Sequence, residues 1–148
     1  MKGKYGLKAM VHLARMPEGE LALSADIAAS NTISKKFLDA ILSDLRNGRL
    51  VATRKGRNGG YYLARSAASI TVGDVLRVLD GPLAPIPCAS RTAYRPCSDC
   101  PDEGLCSVHL TMLDVRDAIA DVLDSRSLAD LVAQIDSRAA AGAARAAS

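Results

Sequence analysis

The sequence is poor in aromatic residues. It contains no tryptophan and one phenylalanine among 148 residues, and aromatic side chains make up 3% of the chain. Because hydrophobic residues still reach 49%, the apolar share is mostly alanine, leucine, valine and isoleucine, a composition that favours helices. This is enough apolar material for a core, so a chain that is disordered as a whole is not expected. The length is that of one domain, or of a small domain with an appendage.

Long apolar runs and a secretory signal are also missing. No stretch approaches the roughly 18 to 20 apolar residues that cross a bilayer. The N-terminus lacks the order of charged, apolar and small residues that is typical of a signal peptide. We therefore expect a cytoplasmic protein with no membrane attachment.

Charge is divided unevenly along the chain. The net charge is +3, but residues 1–65 carry twelve Lys and Arg against five Asp and Glu, a net +7. Residues 66–148 carry seven against eleven, a net −4. Such asymmetry indicates a basic surface in the first part and a different task in the second.

Three helices are predicted at the start of the basic part. The first covers residues 4–16 and turns one apolar stripe inward, formed by Leu7, Met10, Val11 and Ala14. The second fits Ser24–Asn31, with Ser24 as its N-cap. The third is capped by Ser34 and stopped by Gly48. The short gap between the second and third helices matches a helix-turn-helix.

A β-hairpin is predicted directly after these helices. β-forming residues over 50–54 and 61–63 flank a turn that contains Asn58 and Gly59. A helix-turn-helix followed at once by a hairpin is the order of elements in a winged-helix domain. Residues 1–66 are thus predicted to form a winged helix-turn-helix DNA-binding domain.

Polar residues of the third helix and of the hairpin are the candidate DNA contacts. A lysine at the helix start suits phosphate or guanine, and an aspartate suits a cytosine amino group. Glycines in the hairpin turn let the backbone approach a phosphate or the minor groove. The alternative is that the cations form an ordinary solvated surface. The candidates are Lys35, Lys36, Asp39, Ser43, Arg54, Lys55, Arg57, Asn58 and Gly59.

The acidic part begins with a connecting segment and a loop. Residues 67–86 are expected to hold one short helix, over 72–80, that is capped by Thr71. Five of the six prolines fall in residues 81–104, which predicts little regular structure there. A loop of this length in a small protein is usually functional or disordered.

A long helix is predicted from Ser107, and residues 107–137 are expected to hold it together with a short final helix capped by Ser127. Residues 138–148, almost all alanine, are expected to be a flexible tail. Apolar residues alternate at spacings of 4 and 3 along a heptad-like seam of Val108, Met112, Val115, Ile119 and Val122. The seam either packs on the chain's own winged helix or pairs with a second copy. We favour a symmetric homodimer on a palindromic site in double-stranded DNA.

All four cysteines lie within residues 87–106, followed by a histidine, in the pattern Cys88-x8-Cys97-x2-Cys100-x5-Cys106-x2-His109. Thiolates are soft ligands that bind iron–sulfur clusters, zinc or copper(I). Clustering in a cytosolic chain favours a metal site or redox chemistry over structural disulfides. The spacing does not decide between zinc and iron–sulfur. A dithiol pair at Cys97 and Cys100 is a further alternative, and His109 is either a ligand or a packing residue.

An enzyme is not expected. Cys97-x2-Cys100 alone would suggest a thiol oxidoreductase. No βαβ pattern surrounds this pair, however, and no acid–base constellation accompanies it.

Together these features resemble the Rrf-two (Rrf2) family of bacterial transcription regulators, in particular its iron–sulfur, IscR-type branch. The resemblance extends from Lys4 to about Val132 and is strongest over residues 4–10, 33–39, 55–61 and 70–75. It implies a mostly α fold with a small β-hairpin wing and a long dimerisation helix. In that family the third helix reads the major groove, the wing enters the minor groove and the long helix forms the dimer.

The resemblance also implies roles for single residues. The base-reading position falls on Asp39 and the wing cation on Lys55. The cysteine loop would hold a [2Fe–2S] cluster, or a [4Fe–4S] cluster, whose state alters DNA affinity. The segment Cys100-x5-Cys106-x2-His109 looks like the family's last two cysteines and its histidine ligand, and the first ligand falls on Cys88 or Cys97.

The chain departs from the family pattern in three ways. It has four loop cysteines where three are common, and Lys4 stands where some members have an acidic ligand. It also starts a few residues later than is typical, so its start is expected to be internal.

We therefore expect a homodimeric repressor whose DNA affinity is controlled by an iron–sulfur cluster that senses redox, iron or nitric oxide status. The alternative is a metabolite- or partner-responsive winged-helix regulator whose cysteines bind zinc or form a dithiol switch.

Overall fold

A computed structural model describes residues 2–148, which contain six helices and one antiparallel hairpin. Short 3₁₀ turns occur in the connections, at Ala67–Ser69, Pro87–Ala89 and Glu103–Leu105. The mostly α architecture with a small hairpin confirms the predicted fold class. In chain order the elements are α1 (Lys2–Ala14), α2 (Ser24–Asn31), α3 (Lys35–Asn47), β1 (Val51–Arg54), β2 (Gly60–Leu63), α4 (Val72–Asp80), α5 (Ser107–Asp124) and α6 (Leu128–Ala146).

Hydroxyl side chains cap the starts of three helices, α3, α4 and α6. The hydroxyl of Ser34 accepts a hydrogen bond from the backbone at the start of α3. Thr71 and Ser127 each form a complete capping box, at α4 and α6. The prediction for Ser24 is wrong, because this residue is the first of α2 and Leu23 occupies the cap position without a side-chain hydrogen bond.

The core is formed by the helices of the winged-helix region and by the start of α6. No residue of α5 is buried. The largest fully buried side chains are Met10, Ile27, Leu38, Ile41, Leu42, Leu45, Ile70, Val75 and Leu128.

The buried face of α1 is rotated from the predicted stripe. Leu7, Val11 and Ala14 are only half-buried. The reason is that α4 packs against glycine: a Cβ atom at Gly6 would overlap the side chain of Leu79. The buried residues of α1 are Gly3, Gly6, Ala9, Met10 and Leu13.

The wing has a backbone partner outside the hairpin. The strands pair in register from Val51 opposite Leu63 to Arg54 opposite Gly60. Ala22, just before α2, exchanges two backbone hydrogen bonds with Tyr61, at 2.8 and 3.0 Å. The hairpin is thereby fixed to the helix-turn-helix.

The last helix is longer than predicted. The sequence predicted a short helix that frays after Arg138, but α6 continues to Ala146. Alanine has the highest helix propensity of all residues, which accounts for the extension. Near the middle of this helix, Asp136 accepts a hydrogen bond from the guanidinium of Arg15 at 2.9 Å, and α6 packs against α1.

Candidate DNA-binding face and thiol cavity

The helix α3 presents the predicted polar residues on its accessible side. Its apolar stripe faces the core, since Leu38, Ile41, Leu42 and Leu45 are all buried. On the other side Lys36 is exposed and Ser43 is half-buried. The cap at Ser34 fixes the start of this helix and hence the direction of its first side chains.

Lys35 and Asp39 form an ion pair on this face. The ammonium of Lys35 donates to Asp39 Oδ2 at 2.8 Å. This hydrogen bond is the main reason why the pKa of Asp39 lies below its usual value, and the hydroxyl of Ser24 lowers that pKa further. Asp39 therefore carries its negative charge next to a cation.

The wing projects cations from a glycine-dependent turn. Gly56 has φ +113°, a backbone conformation that other residues rarely adopt. A Cβ atom at Gly59 would overlap the carbonyl oxygen of Arg54. Around this turn Arg54, Lys55, Arg57 and Asn58 are all exposed, and Gly59 is half-buried. In contrast to Lys35, the cations of the wing form no ion pair within residues 2–148.

The predicted ligands surround one cavity of about 510 Å³ in front of α5. Cys88 is buried, on the 3₁₀ turn Pro87–Ala89, whereas Cys97 is exposed. Three further candidate ligands are half-buried. The candidates that line this cavity are Cys88, Cys97, Cys100, Cys106 and His109.

Four of these side chains form two pairs. Cys88 Sγ lies 3.4 Å from His109 Nδ1, and Cys100 and Cys106 lie close enough for each thiol to shift the pKa of the other. Cys97 stands apart, because its thiol donates to Asp99 Oδ1 at 2.7 Å. The dithiol pair of Cys97 and Cys100 stays a prediction from the sequence, and Cys106 is a further neighbour of Cys100.

The surroundings of the thiols shift their pKa values in different directions. Cys106 is the N-cap of α5, and the backbone N–H of His109 donates to its sulfur at 3.4 Å, which lowers the pKa of this thiol. Burial raises the pKa of Cys100, and contact with Cys106 raises it further. The hydrogen bond to Asp99 raises the pKa of Cys97.

The donor atoms of these side chains suit a soft metal centre. Their positions, however, do not form a closed site around a single metal ion. Three thiols and one imidazole are suitable ligands for iron or zinc. Within residues 2–148, however, no three His, Cys, Asp or Glu side chains converge tightly enough to hold one metal ion.

Residues 87–106, the thiol segment, are held by two contacts that no sequence pattern predicted. Arg116 of α5 donates to the backbone carbonyl of Ala89 at 2.9 Å and so fixes the turn that carries Cys88. The hydroxyl of Tyr94 donates to the carboxylate of Glu103 at 2.9 Å. The sequence contains no local pattern that pairs residues 27 positions apart, so Arg116 could not be identified.

The seam of α5 is largely exposed in a single copy of the chain. Val108 and Val122 are 57% and 55% exposed, and Val115 is 37% exposed. Met112 and Ile119 are half-buried. Nowhere in residues 2–148 is a helix both long enough and apolar enough to span a membrane.

Comparison with known proteins agrees with this architecture. The model of the Rrf2 family, described as an iron-dependent transcriptional regulator, matches residues 1–134. A putative HTH-type transcriptional regulator, rrf2-like, of Rhodobacter capsulatus is 38% identical over 135 residues, which cover 89% of this chain and 90% of the relative.

Two solved structures are similar in both fold and sequence. CymR, described as the global cysteine regulator of B. subtilis, superposes with a TM-score of 0.73 at 34% identity, covering 90% of this chain and 95% of that structure. IscR of T. potens gives a TM-score of 0.72 at 30% identity, covering 91% and 85%.

The relatives are named transcriptional regulators, not enzymes, which confirms the prediction that no enzyme is present. The family match covers the winged helix, the thiol segment, α5 and the start of α6. The chain belongs to the Rrf2 family of DNA-binding transcriptional regulators.

Proposed function

We propose that this chain is a homodimeric repressor that works in the cytoplasm and whose affinity for a palindromic operator is controlled by an iron–sulfur cluster. The observation that carries this proposal is the arrangement of Cys88, Cys100, Cys106 and His109 around one cavity at the start of α5. The cluster would sense redox, iron or nitric oxide status.

DNA contact in this proposal uses two surfaces. α3 lies in the major groove and presents Lys35, Lys36, Asp39 and Ser43 to base edges and phosphates. The wing lies against the minor groove, where Gly56 and Gly59 permit a close backbone approach. The cations Arg54, Lys55 and Arg57, together with Asn58, contact the phosphates.

Dimerisation follows from the exposed side of α5. Val108, Val115 and Val122 recur every seven residues and are all exposed in one copy. Pairing of two such helices would bury this seam. A symmetric dimer presents two wings and two recognition helices, which suits a palindromic operator.

The two ligand pairs support a binuclear cluster over a single zinc ion. In a [2Fe–2S] centre each iron takes two protein ligands, and the candidate ligands form two pairs around one cavity. Four-coordinate zinc instead requires all its donors to converge on one ion. We assign Cys88, Cys100, Cys106 and His109 as the ligands. Cys97 is left out because its thiol is hydrogen-bonded to Asp99. A [4Fe–4S] cluster on the same ligands is the variant of this proposal.

When bound, the cluster would supply a centre whose oxidation state and integrity change with the redox, iron or nitric oxide status of the cell. Ligation of Cys88 and Cys106 would order residues 87–106 against α5. From there two contacts lead to the DNA-binding region. Arg116 joins α5 to the Cys88 turn, and Arg77 of α4 donates two hydrogen bonds to Asp124 of α5, at 2.6 and 2.8 Å. Ordering of the loop would thus fix the pose of the winged helices.

Anaerobic purification tests the ligand assignment. Wild-type protein is expected to contain iron and acid-labile sulfide and to absorb visible light, and Cys106→Ser is expected to lose all three. Cys97→Ser is the matched control and should retain them. A wild-type protein without iron and sulfide contradicts the proposal, and equal loss in both variants contradicts the assignment.

A thiol switch or a zinc site is the second candidate function. The closeness of Cys100 and Cys106, whose thiols shift each other's pKa, favours this function, and so does the similarity to a structure described as a cysteine regulator. In the switch, the two thiols would transfer two electrons and two protons to a peroxide and form one S–S bond. The O–O bond of the peroxide breaks, so that hydrogen peroxide leaves as two water molecules and an alkyl hydroperoxide leaves as one alcohol and one water. Such a regulator would respond to a metabolite or a partner. The protein would be colourless in both cases. A zinc site would show as zinc in the native protein, and a thiol switch would show as a Cys100–Cys106 crosslink in the mass spectrum.

A further inference from the structure

We propose that Lys35 and Asp39 act as one unit that reads a single C·G base pair, rather than as two independent DNA contacts. The inference rests on the proposed placement of α3 in the major groove. The observation behind it is their 2.8 Å hydrogen bond on the accessible face of this helix.

Both members of the pair can reach a ligand. The side chain of Lys35 is 59% exposed and that of Asp39 is 42% exposed. Lys35 is the first residue of α3 and Asp39 lies one turn further on. The N-terminal residues of a recognition helix are the ones that contact base edges.

Helix stability does not explain the pair. A cation at the start of a helix opposes the helix dipole. A basic residue placed four positions before an acidic one is also the weaker of the two possible orders. An exposed pair of this kind contributes about 0.5 kcal/mol or less. The pair therefore contributes little to folding, and both of its charged groups remain accessible to a ligand.

The donor–acceptor pattern of the pair complements one edge of a C·G base pair. In the major groove, cytosine presents its N4 amino group as a donor and guanine presents O6 and N7 as acceptors. N4 and O6 are hydrogen-bonded to each other within the base pair and so lie about 2.9 Å apart. The Lys35 ammonium and the Asp39 carboxylate are separated by the same distance, so one carboxylate oxygen can accept from N4 while the ammonium donates to O6.

Ser24 holds the pair from the neighbouring helix. After Lys35, Ser24 is the next group that lowers the pKa of Asp39, so it favours the charged form of this carboxylate. Lys36 has no such arrangement: it is exposed and takes part in no salt bridge within residues 2–148. Lys36 is therefore the matched control, with the same charge one position away.

The test is selection of binding sites from a random double-stranded DNA library by the full-length protein. Selection is followed by affinity measurements on the enriched site and on its C·G-to-T·A variant. Wild-type protein should discriminate between the two sites by about tenfold. Lys35→Ala and Asp39→Ala should each abolish most of this discrimination, and the double variant should lose no more than either single one. Lys36→Ala should weaken binding to both sites equally.

The outcomes separate this inference from the operator proposal. If a site is enriched but Lys35→Ala and Lys36→Ala change the discrimination between the two sites equally, the paired action of Lys35 and Asp39 is overturned and the operator proposal stands. The same holds if the losses of discrimination in Lys35→Ala and Asp39→Ala add up in the double variant. A wild-type protein that enriches no sequence overturns both the unit and the operator proposal. Folding of each variant is checked by its thermal unfolding midpoint.

Discussion

The winged-helix region, residues 2–80, and the helix α5 bury their apolar side chains to very different extents. Eight of the nine largest fully buried side chains lie in the winged-helix region, and α5 contributes none. Every side of the winged-helix core is covered within one copy of the chain. α5 instead leaves an apolar seam exposed and carries the thiol cavity at its start. The core of the first region is covered within one copy of the chain, with Leu128 of α6 included in it, whereas we propose that a second copy and a ligand cover the second region.

The largest effect is expected from a cavity in the winged-helix core. Leu42 is 0% exposed, so Leu42→Ala should lower the free energy of unfolding by about 3 kcal/mol. Val115→Ala in α5 is the comparison and should change it by less than about 1 kcal/mol when the monomer is studied. Urea unfolding measures both. Similar losses in the two variants would remove the contrast between the regions.

A charge in the seam should separate the two copies. Val115→Asp would place an unpaired carboxylate in the dimer contact, which we expect to weaken association by roughly a hundredfold, equivalent to about 2.7 kcal/mol. Ala133→Asp, at an exposed position of α6, adds the same charge outside the seam. Sedimentation velocity distinguishes monomer from dimer. Unaltered association of Val115→Asp would mean that α5 does not form the interface.

Removing a wing cation should have a smaller and salt-dependent effect. Lys55→Ala is expected to reduce DNA affinity by several-fold for all sequences and to lower the slope of log affinity against log salt by about 1. Arg95→Ala is the matched control, since this exposed cation lies in the thiol segment. Fluorescence anisotropy over a range of salt concentrations tests this. Equal salt slopes for wild type and Lys55→Ala would show that the wing does not contact phosphate.

The smallest effect concerns the contact between the two regions. The guanidinium of Arg77 holds the pKa of Asp124 below its usual value. Asp124 therefore stabilises the fold above its unfolded pKa of about 4, and this contribution is lost as the pH falls through its folded pKa.

Replacement by Asn measures this contribution. Because both partners are partly exposed, Asp124→Asn should cost less than about 1 kcal/mol at pH 6, and this cost should shrink as the pH falls through the folded pKa of Asp124. Asp121→Asn, an exposed position on the same helix, is the control. A loss that does not change with pH would assign the effect to packing.

Local patterns were predictable from the sequence and contacts between distant residues were not. The caps at Ser34, Thr71 and Ser127 depend on neighbours three residues away, and all three are confirmed. The buried face of α1 depends on how α4 packs against Gly6, 73 residues before Leu79. The pairing of Ala22 with Tyr61 likewise joins distant backbone segments.

The same distinction applies to the candidate site. The spacing of the cysteines indicated which residues gather in one loop. It did not indicate that Cys100 lies next to Cys106, or that Arg116 fixes the turn of Cys88. These contacts arise from the folding of the loop onto α5.

Control of DNA binding by the thiol cavity can be measured by comparing iron-loaded and iron-stripped protein on one enriched DNA site. Cys97→Ser and Cys106→Ser are measured alongside the wild type. The predicted result is an affinity that differs by about five- to 150-fold between loaded and stripped wild-type protein. Cys97→Ser should show the same difference and Cys106→Ser none. Equal affinities of loaded and stripped wild-type protein would contradict the account.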